Sequence, residues 1–470
     1  MAYDFNILLI GGGPGGYVAA IRAAQLGAKT ALIEMDEVGG TCVLRGCIPS
    51  KALLRGVELI DLAKHAKDYG VNVGEVSVDF NKMNKRKDLA VKTLSTGARS
   101  LVKGNGVELI YGKGKFLSNH EVQIVEKNGT QTNVSAEKII IATGSVPSTV
   151  PIPGADSEGV INSDGAFELK EIPESVVIVG GGYIGVEFAT IFGKLGSKVV
   201  VVEMLPQIIP TEDEEIAQGL QKILQRDGVE VYTKAQVKEI SNGTGGHKIV
   251  TVLTPDGEKK FTTQIVLVAV GRRPLSEDVG LEKIGVALDR GAVIINDRME
   301  TNVPDIYAIG DVTRKVMLAH AASHQGIAAV ENALGEEGTI NYHTVPRCIY
   351  TLPEVASVGL TEKQAREKVG QIKIGKFPFS ANGKATILGE REGFIKIITD
   401  ARYGEILGVH MLGPHVTDMI AEPVLAMNLE ATAEDVAHAI HAHPTLTEAM
   451  GEAALDVLGK MIHLPPRKGL

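Results

Sequence analysis

The sequence has no long apolar run, no cluster of basic residues and only three cysteines among its 470 residues. Its apolar runs, such as residues 265–270, fall far short of the roughly 20 residues that span a bilayer, which argues against an integral membrane protein. The formal net charge of −9 argues against nucleic acid as the main partner, because phosphate binding needs clustered Lys and Arg. No metal site is predicted. An apolar segment begins at residue 5 and leaves no room for a targeting peptide, so we expect a cytoplasmic protein, or one whose presequence has been removed.

Two of the cysteines lie close together, and this pair predicts redox chemistry rather than a stabilising disulfide framework. Cys42 and Cys47 are five residues apart, and structural disulfides are rare in reducing compartments. A regular helix would separate such residues by about 8 to 9 Å, beyond the roughly 7 Å limit for a disulfide. The segment must therefore be distorted, which Gly46 and Pro49 would permit, with the helix resuming at Lys51. The alternative is a pair of reduced, buried cysteines.

An internal repeat at an offset of 169 residues indicates how the chain is organised. Each copy contains a short apolar strand, a glycine-rich turn, a helix and a second β-branched strand that ends in an acid. The matching residues are Gly11 and Gly180, Gly13 and Gly182, Gly16 and Gly185, Leu26 and Leu195, Gly27 and Gly196, Lys29 and Lys198, and Glu34 and Glu203. The repeat predicts two βαβ units of the dinucleotide-binding type.

Each βαβ unit carries the residues that a bound dinucleotide needs. The first glycine allows a tight turn, the second lets the backbone approach a pyrophosphate, and the third lets the helix pack closely on the strand. The helix N-terminus faces the phosphate charge, while Glu34 or Glu203 can accept hydrogen bonds from a ribose diol. Glu203 is followed by the apolar residues 204–206 rather than by arginines, so we expect NAD rather than NADP in the second unit. For either copy alone, the alternative is a glycine turn without a ligand.

Four further segments contain recognisable motifs. The cysteines lie in GGTCVLRGCIPSKALL at residues 39–54, and the others are ATG at 142–144, AVGRRP at 269–274 and TNVPDIYAIGD at 301–311. Together these segments resemble the class I flavin-dependent pyridine nucleotide-disulfide oxidoreductases, and the resemblance covers essentially the whole chain. It implies an α/β fold with two Rossmann-like domains and a C-terminal α+β dimer-interface domain.

The resemblance also implies roles for individual residues, with FAD in the first unit and NAD in the second. Cys47 would be the thiol that faces the flavin, and Cys42 the thiol that exchanges with substrate. Lys51 would lie beside the isoalloxazine ring and pair with Glu187. The other residues implied to contact a cofactor are Gly114, Gly144, Tyr183, Val237, Gly271, Asp311 and Ala319. Asp311 as a turn residue and Tyr183 as an ordinary helix residue remain the alternatives.

A C-terminal histidine is the predicted base. The segment HAHPTLTE at residues 441–448 resembles the base motif of the same family, with His443 oriented by Glu448. A carboxylate bonded to one ring nitrogen fixes the tautomer and leaves the other nitrogen free to accept a proton. Alternatively, Thr445 and Glu448 form a capping box that opens a helix, and His443 merely precedes it.

The reaction implied by the resemblance is the oxidation of protein-bound dihydrolipoamide, with electrons passing to the cysteine pair, then to FAD and finally to NAD⁺. The implied partners are a second copy of the chain, whose disulfide His443 would reach, and the lipoyl domains and acyltransferase core of 2-oxo acid dehydrogenase complexes. Two rival reductases fit the sequence less well. A glutathione-type enzyme would carry an NADP-adapted second site, and a mercuric reductase would add a C-terminal cysteine pair, which this sequence lacks. A nicotinamide transhydrogenase, a flavin oxidase or a nonenzymatic assembly component remains an alternative.

The motifs predict four segments along the chain. These are an FAD domain at residues 1–148, an NAD domain at 149–271, a central segment that completes the FAD site at 272–343, and an interface domain at 344–470. The third cysteine, Cys348, has no predicted role.

Overall fold

The first sheet is built around the first glycine turn in the computed structural model, which describes residues 3–465. β1 (Phe5–Ile10) leads through the turn into α1 (Pro14–Gln25) and back to β2 (Thr30–Glu34), which lies parallel to β1. The following elements are α2 (Gly40–Arg45), α3 (Cys47–His65), α4 (Phe80–Gly104), β3 (Glu108–Tyr111), β4 (Lys113–Ser118), β5 (Glu121–Val125), β6 (Gln131–Ile141) and β7 (Ser145–Pro147). The strand order β3-β2-β1-β6-β5-β4 places β1 and β2 centrally, so their side chains are almost all buried.

The second sheet contains the second copy of the repeat. Its elements are β8 (Val160–Asn162), α5 (Ser163–Ala166), β9 (Ser175–Val179), α6 (Tyr183–Lys194), β10 (Lys198–Val202), α7 (Glu214–Arg226), β11 (Glu230–Tyr232), β12 (Gln236–Asn242), β13 (Lys248–Thr254), β14 (Gly257–Thr263) and β15 (Ile265–Val268). The parallel sheet has the order β11-β10-β9-β15-β8, and β12, β13 and β14 form a separate antiparallel sheet. α6 coincides with α1 at both ends when α1 is shifted by 169 residues, so the predicted repeat is confirmed.

After β15 the chain returns to the first sheet. The elements of this return are β16 (Arg272–Pro274), β17 (Leu288–Asp289), β18 (Ala292–Val293), β19 (Ile306–Ala308) and α8 (Ala319–Ala333). β16 pairs with β7, β19 pairs in parallel with β6, and α8 packs on α1. A Cβ atom at Gly326 of α8 would lie 2.6 Å from the carbonyl oxygen of Gly15, so this close helix contact depends on glycine. The returning segment therefore completes the first domain.

The C-terminal part forms an antiparallel sheet covered by helices. Its elements are β20 (Arg347–Ile349), β21 (Glu354–Gly359), α9 (Glu362–Val369), β22 (Ile372–Pro378), α10 (Gly383–Leu388), β23 (Phe394–Asp400), β24 (Ile406–Gly413), α11 (Val416–Met419), α12 (Ala421–Asn428), α13 (Ala433–His438) and α14 (Glu448–Val457). The strand order is β20-β21-β24-β23-β22, and α14 packs on β22 and β23. Short 3₁₀ helices occupy Ala66–Tyr69, Thr244–Gly246, Leu281–Ile284, Gly310–Thr313, Tyr342–Thr344 and Phe379–Ala381. The predicted fold class is confirmed.

One hydrophobic cluster joins all three parts of the molecule. It contains Leu53 of α3, Phe188 of α6 and Ile349 of β20, each of them buried. Because apolar burial is the main source of folding free energy, this shared core fixes the three elements relative to one another. Within residues 3–465, no helix combines the length and the apolar character needed to cross a membrane.

Candidate active site

Cys42 and Cys47 form a disulfide at a break between two helices. α2 ends one residue before Gly46, α3 begins one residue after it, and Gly46 itself has φ −147° and ψ −104°, far from helical values. The two Cα atoms of the disulfide are 4.7 Å apart, well inside the limit for such a bond. The predicted disulfide and the predicted distortion are both confirmed.

The position at which the helix resumes differs from the prediction. α3 begins at Cys47 rather than at Lys51, and Pro49 is its third residue. The first N–H groups of a helix have no partner within the helix, so Pro49 costs no hydrogen bond there. Gly46 alone therefore makes the break. Because the N-terminus of a helix carries partial positive charge, the position of Cys47 at the start of α3 would favour its thiolate form after reduction.

An ion pair links α3 to α6 one turn beyond Cys47. The Lys51 ammonium donates to both carboxylate oxygens of buried Glu187, with Nζ···O distances of 2.8 and 2.9 Å. The expected pairing of these two residues is therefore present. Tyr350, which follows β20, donates its backbone N–H to the Glu187 carboxylate at 3.0 Å. Tyr350 was not among the predicted site residues, because it is 163 positions away from Glu187.

The two glycine turns have the same geometry. Gly11 has φ +109° and Gly180 has φ +108°, values that side-chain-bearing residues rarely adopt. A Cβ atom at Gly16 would overlap the carbonyl oxygen of Gly11, and one at Gly185 would overlap that of Gly180. The first and third glycines of each turn therefore have the steric roles that the sequence predicts.

The helices that follow the turns leave their N-terminal N–H groups available. α1 and α6 begin after Gly13 and Gly182, neither of which supplies a capping side chain. By contrast, α4 and α7 are capped by the carboxylates of Asp79 and Asp213. Uncapped N–H groups at a glycine turn bind phosphate oxygens well. This donor set fits the pyrophosphates of FAD at the first turn and NAD at the second.

The acid at the end of each second strand is buried against its own turn. Glu34 accepts the backbone N–H of Gly12 at 2.6 Å and that of Asp36 at 2.7 Å. Glu203 accepts the N–H of Gly181 at 2.6 Å and that of Leu205 at 2.8 Å. Burial raises the pKa of Glu34, although these N–H groups act in the opposite direction. A carboxylate has roughly four lone-pair sites, so each glutamate can also accept a hydrogen bond from a ribose diol.

Asp311 lies in a polar network that reaches the disulfide segment. The Ser145 hydroxyl donates to the Asp311 carboxylate at 2.6 Å, and Arg272 Nε donates to the Ser145 hydroxyl at 2.8 Å. Arg272 Nη2 also donates to the Thr41 hydroxyl, next to Cys42, at 3.3 Å. Burial raises the pKa of Asp311, against the influence of Ser145 and Arg272. Ser145 and Arg272 were missed, although each directly follows a predicted glycine.

Two of the remaining predicted cofactor residues border open space, and a third begins a helix. Gly144 and Gly271 have φ values of +74° and +108°, and a Cβ atom added to either would meet nothing within 4 Å. Ala319 is the first residue of α8, whose N-cap, Leu318, supplies no capping side chain. These backbone positions can approach a ligand.

The other predicted cofactor residues differ in accessibility. Tyr183, the first residue of α6, is 44 % exposed. Gly114 in β4 is buried, and a Cβ atom there would lie 3.2 Å from Ile10 Cγ2 at the end of β1. Val237 is only 5 % exposed and packs in the core of the second domain. Val237 therefore contributes to the core, and its contact with a cofactor stays a prediction.

His443 and Glu448 form a hydrogen-bonded pair at the start of α14. His443 Nδ1 lies 2.8 Å from one Glu448 oxygen, and the other oxygen accepts the Thr445 N–H at 2.8 Å. Burial would raise the pKa of Glu448, but the Thr445 and His443 bonds outweigh it and lower the pKa. The Thr445 hydroxyl bonds to Ala442 O rather than to the helix, so the capping box is only half formed.

The structure does not bring His443 to the disulfide within one chain. The His443 side chain is 78 % exposed, and in the described part of the chain no hydrogen bond or ion pair joins it to Cys42 or Cys47. The predicted site residues thus fall into two groups: the disulfide region with both glycine turns, and the imidazole–carboxylate pair on the C-terminal domain.

The comparisons agree with this architecture. A family model described as pyridine nucleotide-disulphide oxidoreductase matches residues 5–326, and the dimerisation domain of the same family matches residues 345–454. The chain therefore belongs to the pyridine nucleotide-disulphide oxidoreductase family. It is a flavoprotein disulfide oxidoreductase that uses FAD and NAD, as the sequence predicted.

Several relatives within this family are dihydrolipoyl dehydrogenases. The chain is 43% identical over 462 residues to one from Bacillus subtilis (strain 168), covering 97% of this chain and 100% of that one. It is 44% identical over 467 residues to one from Chlamydia trachomatis serovar D, covering 99% of both chains. A similar solved structure is the Cu(II) complex of the HOCl-induced flavoprotein disulfide reductase RclA from Escherichia coli. The two structures match with a TM-score of 0.85 and 29% sequence identity, and the match covers 97% of this chain and 99% of that chain.

Proposed function

We propose that this protein is an NAD-dependent dihydrolipoamide dehydrogenase, which oxidises protein-bound dihydrolipoamide and reduces NAD⁺. The observation that carries this proposal is the Cys42–Cys47 disulfide at the break between α2 and α3, in a chain with two dinucleotide turns. The 43% identity to a dihydrolipoyl dehydrogenase over nearly the whole chain supports this choice of substrate.

The cysteine pair and His443 together can oxidise a dithiol. His443 Nε2 accepts the proton of one substrate thiol, and the resulting thiolate attacks Cys42 Sγ. The Cys42–Cys47 bond breaks, and Cys47 leaves as a thiolate at the N-terminus of α3. The second substrate sulfur then attacks the sulfur joined to Cys42 and passes its proton to Cys42, which is released as a thiol. Two electrons have then moved from the substrate to the cysteine pair.

The cofactors complete the reaction from the two glycine turns. The first turn and Glu34 would hold FAD, with Lys51 and Asp311 toward the flavin, and the second turn and Glu203 would hold NAD. When bound, FAD would supply a two-electron acceptor for the reduced cysteine pair, and NAD⁺ would supply the final hydride acceptor. The buried Glu187 carboxylate keeps the Lys51 ammonium in place by two hydrogen bonds.

The proposed active unit is a homodimer in which His443 of each chain serves the disulfide of the other. The exposure of His443 and its separation from Cys42 and Cys47 within one chain support this arrangement. The dimerisation domain at residues 345–454 supports it as well. Two shared sites related by a twofold axis follow from such a dimer.

The finer assignments belong to the same proposal. The partners are the lipoyl domains and acyltransferase core of 2-oxo acid dehydrogenase complexes, and the location is cytoplasmic. The proposed domains are residues 1–148 for FAD, 149–271 for NAD, 272–343 as the returning segment and 344–470 for the interface. The pairing of β19 with β6 supports grouping the returning segment with the FAD domain.

The decisive experiment is NAD⁺-dependent oxidation of dihydrolipoamide by the purified holoenzyme. We expect turnover by the wild-type protein and none by Cys42→Ser. Cys348→Ala is the matched control, because burial raises the pKa of Cys348 to about 12 and keeps it a thiol outside the exchange chemistry. The proposal fails if FAD-loaded wild-type protein does not oxidise dihydrolipoamide, or if Cys42→Ser remains active.

A further inference from the structure

Tyr350 lies at the junction of the three domains, directly against the Lys51–Glu187 pair. Its ring centroid is 4.3 Å from Lys51 Nζ, and its backbone N–H donates to the Glu187 carboxylate at 3.0 Å. Lys51 belongs to α3, Glu187 to α6, and Tyr350 follows β20. One residue of the C-terminal domain therefore contacts both members of an ion pair formed by the two dinucleotide-binding domains.

The Tyr350 ring restricts the Lys51 ammonium on the side that Glu187 leaves open. A lysine ammonium has three N–H donors, and two of them are directed to the Glu187 oxygens. An aromatic face at 4.3 Å attracts the cation electrostatically, and the attraction is stronger where water is excluded. Glu187 is buried, and Tyr350 packs against the hydrophobic cluster shared by the domains. The position of the ammonium is thus set from two directions.

The ring face, rather than the phenol hydroxyl, is the interacting part of Tyr350. In the part of the chain that the structure describes, no hydrogen bond involves the Tyr350 hydroxyl. Burial, followed by the neighbouring charges, raises the pKa of Tyr350 to about 12, so the ring stays neutral near pH 7. Phenylalanine would preserve this contact, whereas leucine would remove it.

We propose that Tyr350 is a positioning residue, which fixes the Lys51 ammonium beside the flavin through its ring and orients Glu187 through its backbone N–H. This inference rests on the proposed function, because that function places Lys51 at the isoalloxazine. A fixed cation there stabilises the negative charge that develops on the flavin as electrons arrive. The C-terminal domain would thereby contribute to cofactor chemistry as well as to the interface.

The test measures reduction of enzyme-bound FAD by NADH in stopped flow, without any dithiol. We expect Tyr350→Leu to be about 5- to 30-fold slower than wild type and Tyr350→Phe to remain within about twofold. The absorption spectrum of the oxidised flavin should shift in Tyr350→Leu and return to the wild-type form in Tyr350→Phe. Loss of ring packing would also slow Tyr350→Leu and spare Tyr350→Phe, so these two variants alone do not isolate the ring–cation contact.

Two further variants separate the ring–cation contact from packing. In a Lys51→Met background, Tyr350→Leu should cause no further loss, because the cation is already absent. Pentafluorophenylalanine at position 350 preserves the ring volume but reverses its electrostatics, so it should slow reduction as leucine does even if Tyr350→Leu folds poorly. Equal losses in Tyr350→Phe and Tyr350→Leu, an undiminished effect in the Lys51→Met background, or a fast fluorinated variant would overturn the proposal.

The outcome is separable from that of the proposed function. If NADH fails to reduce the flavin of wild-type holoenzyme, the proposed cofactor path is wrong. If NADH reduces it at the same rate in wild type and in every Tyr350 variant, only the positioning role is wrong.

Discussion

Mixed dimers test whether His443 serves the disulfide of the other chain. One chain carries Cys42→Ser and the other carries His443→Gln, and two different affinity tags allow the heterodimer to be isolated. In a shared arrangement, one site combines the intact cysteine pair of one chain with the intact histidine of the other, while the second site lacks both. The heterodimer should therefore have about half of the wild-type activity per dimer.

The contrast with an arrangement inside one chain is large. If His443 acted on Cys42 of its own chain, each chain of the heterodimer would lack one essential group, and no site would be intact. Random reassociation of equal amounts of the two variants would produce heterodimers in about half of the population, and hence about a quarter of the wild-type activity. The structure favours the shared arrangement because the His443 imidazole is exposed and, among residues 3–465, its hydrogen-bond partner is Glu448.

The assay is NAD⁺-dependent oxidation of dihydrolipoamide, normalised to bound FAD. Each parental homodimer must be inactive, and subunit exchange must be followed by the tags so that reformed wild-type chains are ruled out. An isolated heterodimer that retains FAD and is completely inactive would refute the shared site. Activity in the His443→Gln homodimer would refute the assignment of the base.

Four other substitutions have defined outcomes. Glu448→Gln should lower kcat for dithiol oxidation by about 10²-fold while NADH-dependent reduction of ferricyanide is retained, because only the base loses its orienting carboxylate. Gly16→Ala should abolish FAD retention, measured by absorbance after gel filtration, because its Cβ would overlap the turn. By contrast, the added Cβ of Gly97→Ala in α4 meets nothing, so this variant should raise the free energy of unfolding by about 0.5 to 1 kcal/mol. Burial would raise the pKa of Asp213, but backbone N–H donation and the buried Lys396 lower it overall, so its stabilisation is present above the ordinary value of 3.8 and is lost as pH falls through the lowered value. In urea denaturation at neutral pH, Lys396→Met should therefore lower the free energy of unfolding by about 3 to 5 kcal/mol, because it leaves buried Asp213 without its cation. A free energy of unfolding equal to that of wild type would contradict this reasoning.

The dinucleotide units were predictable almost to the residue, and the reason is local. Gly11 supplies the positive φ of the tight turn and Gly16 lies against the carbonyl oxygen of Gly11, so the pattern is contained in a short stretch of sequence. The distortion at Gly46 was predictable for the same reason, since five residues decide whether a disulfide can form. The point at which α3 resumes was wrong because the missing N–H of Pro49 is harmless in the first turn.

The network partners could not be predicted, because they are distant in sequence. Tyr350 and Glu187 are separated by 163 positions, and Ser145 and Asp311 by 166. No periodicity or spacing reports such a contact. The burial of Val237 was a different case, because a valine in a strand of the second domain is expected to pack in the core.

The glutamates beside the two glycine turns also hold the backbone of those turns in place. Glu34 already bonds to the backbone of Gly12 and Asp36, and Glu203 bonds in the same way to Gly181 and Leu205. These hydrogen bonds fix the conformation of each turn before a nucleotide binds. Nucleotide binding therefore costs little conformational entropy at the turn. Replacing either glutamate with a neutral residue would therefore loosen the glycine turn that binds the pyrophosphate as well as remove the ribose contact. The affinity of the protein for the whole nucleotide would fall.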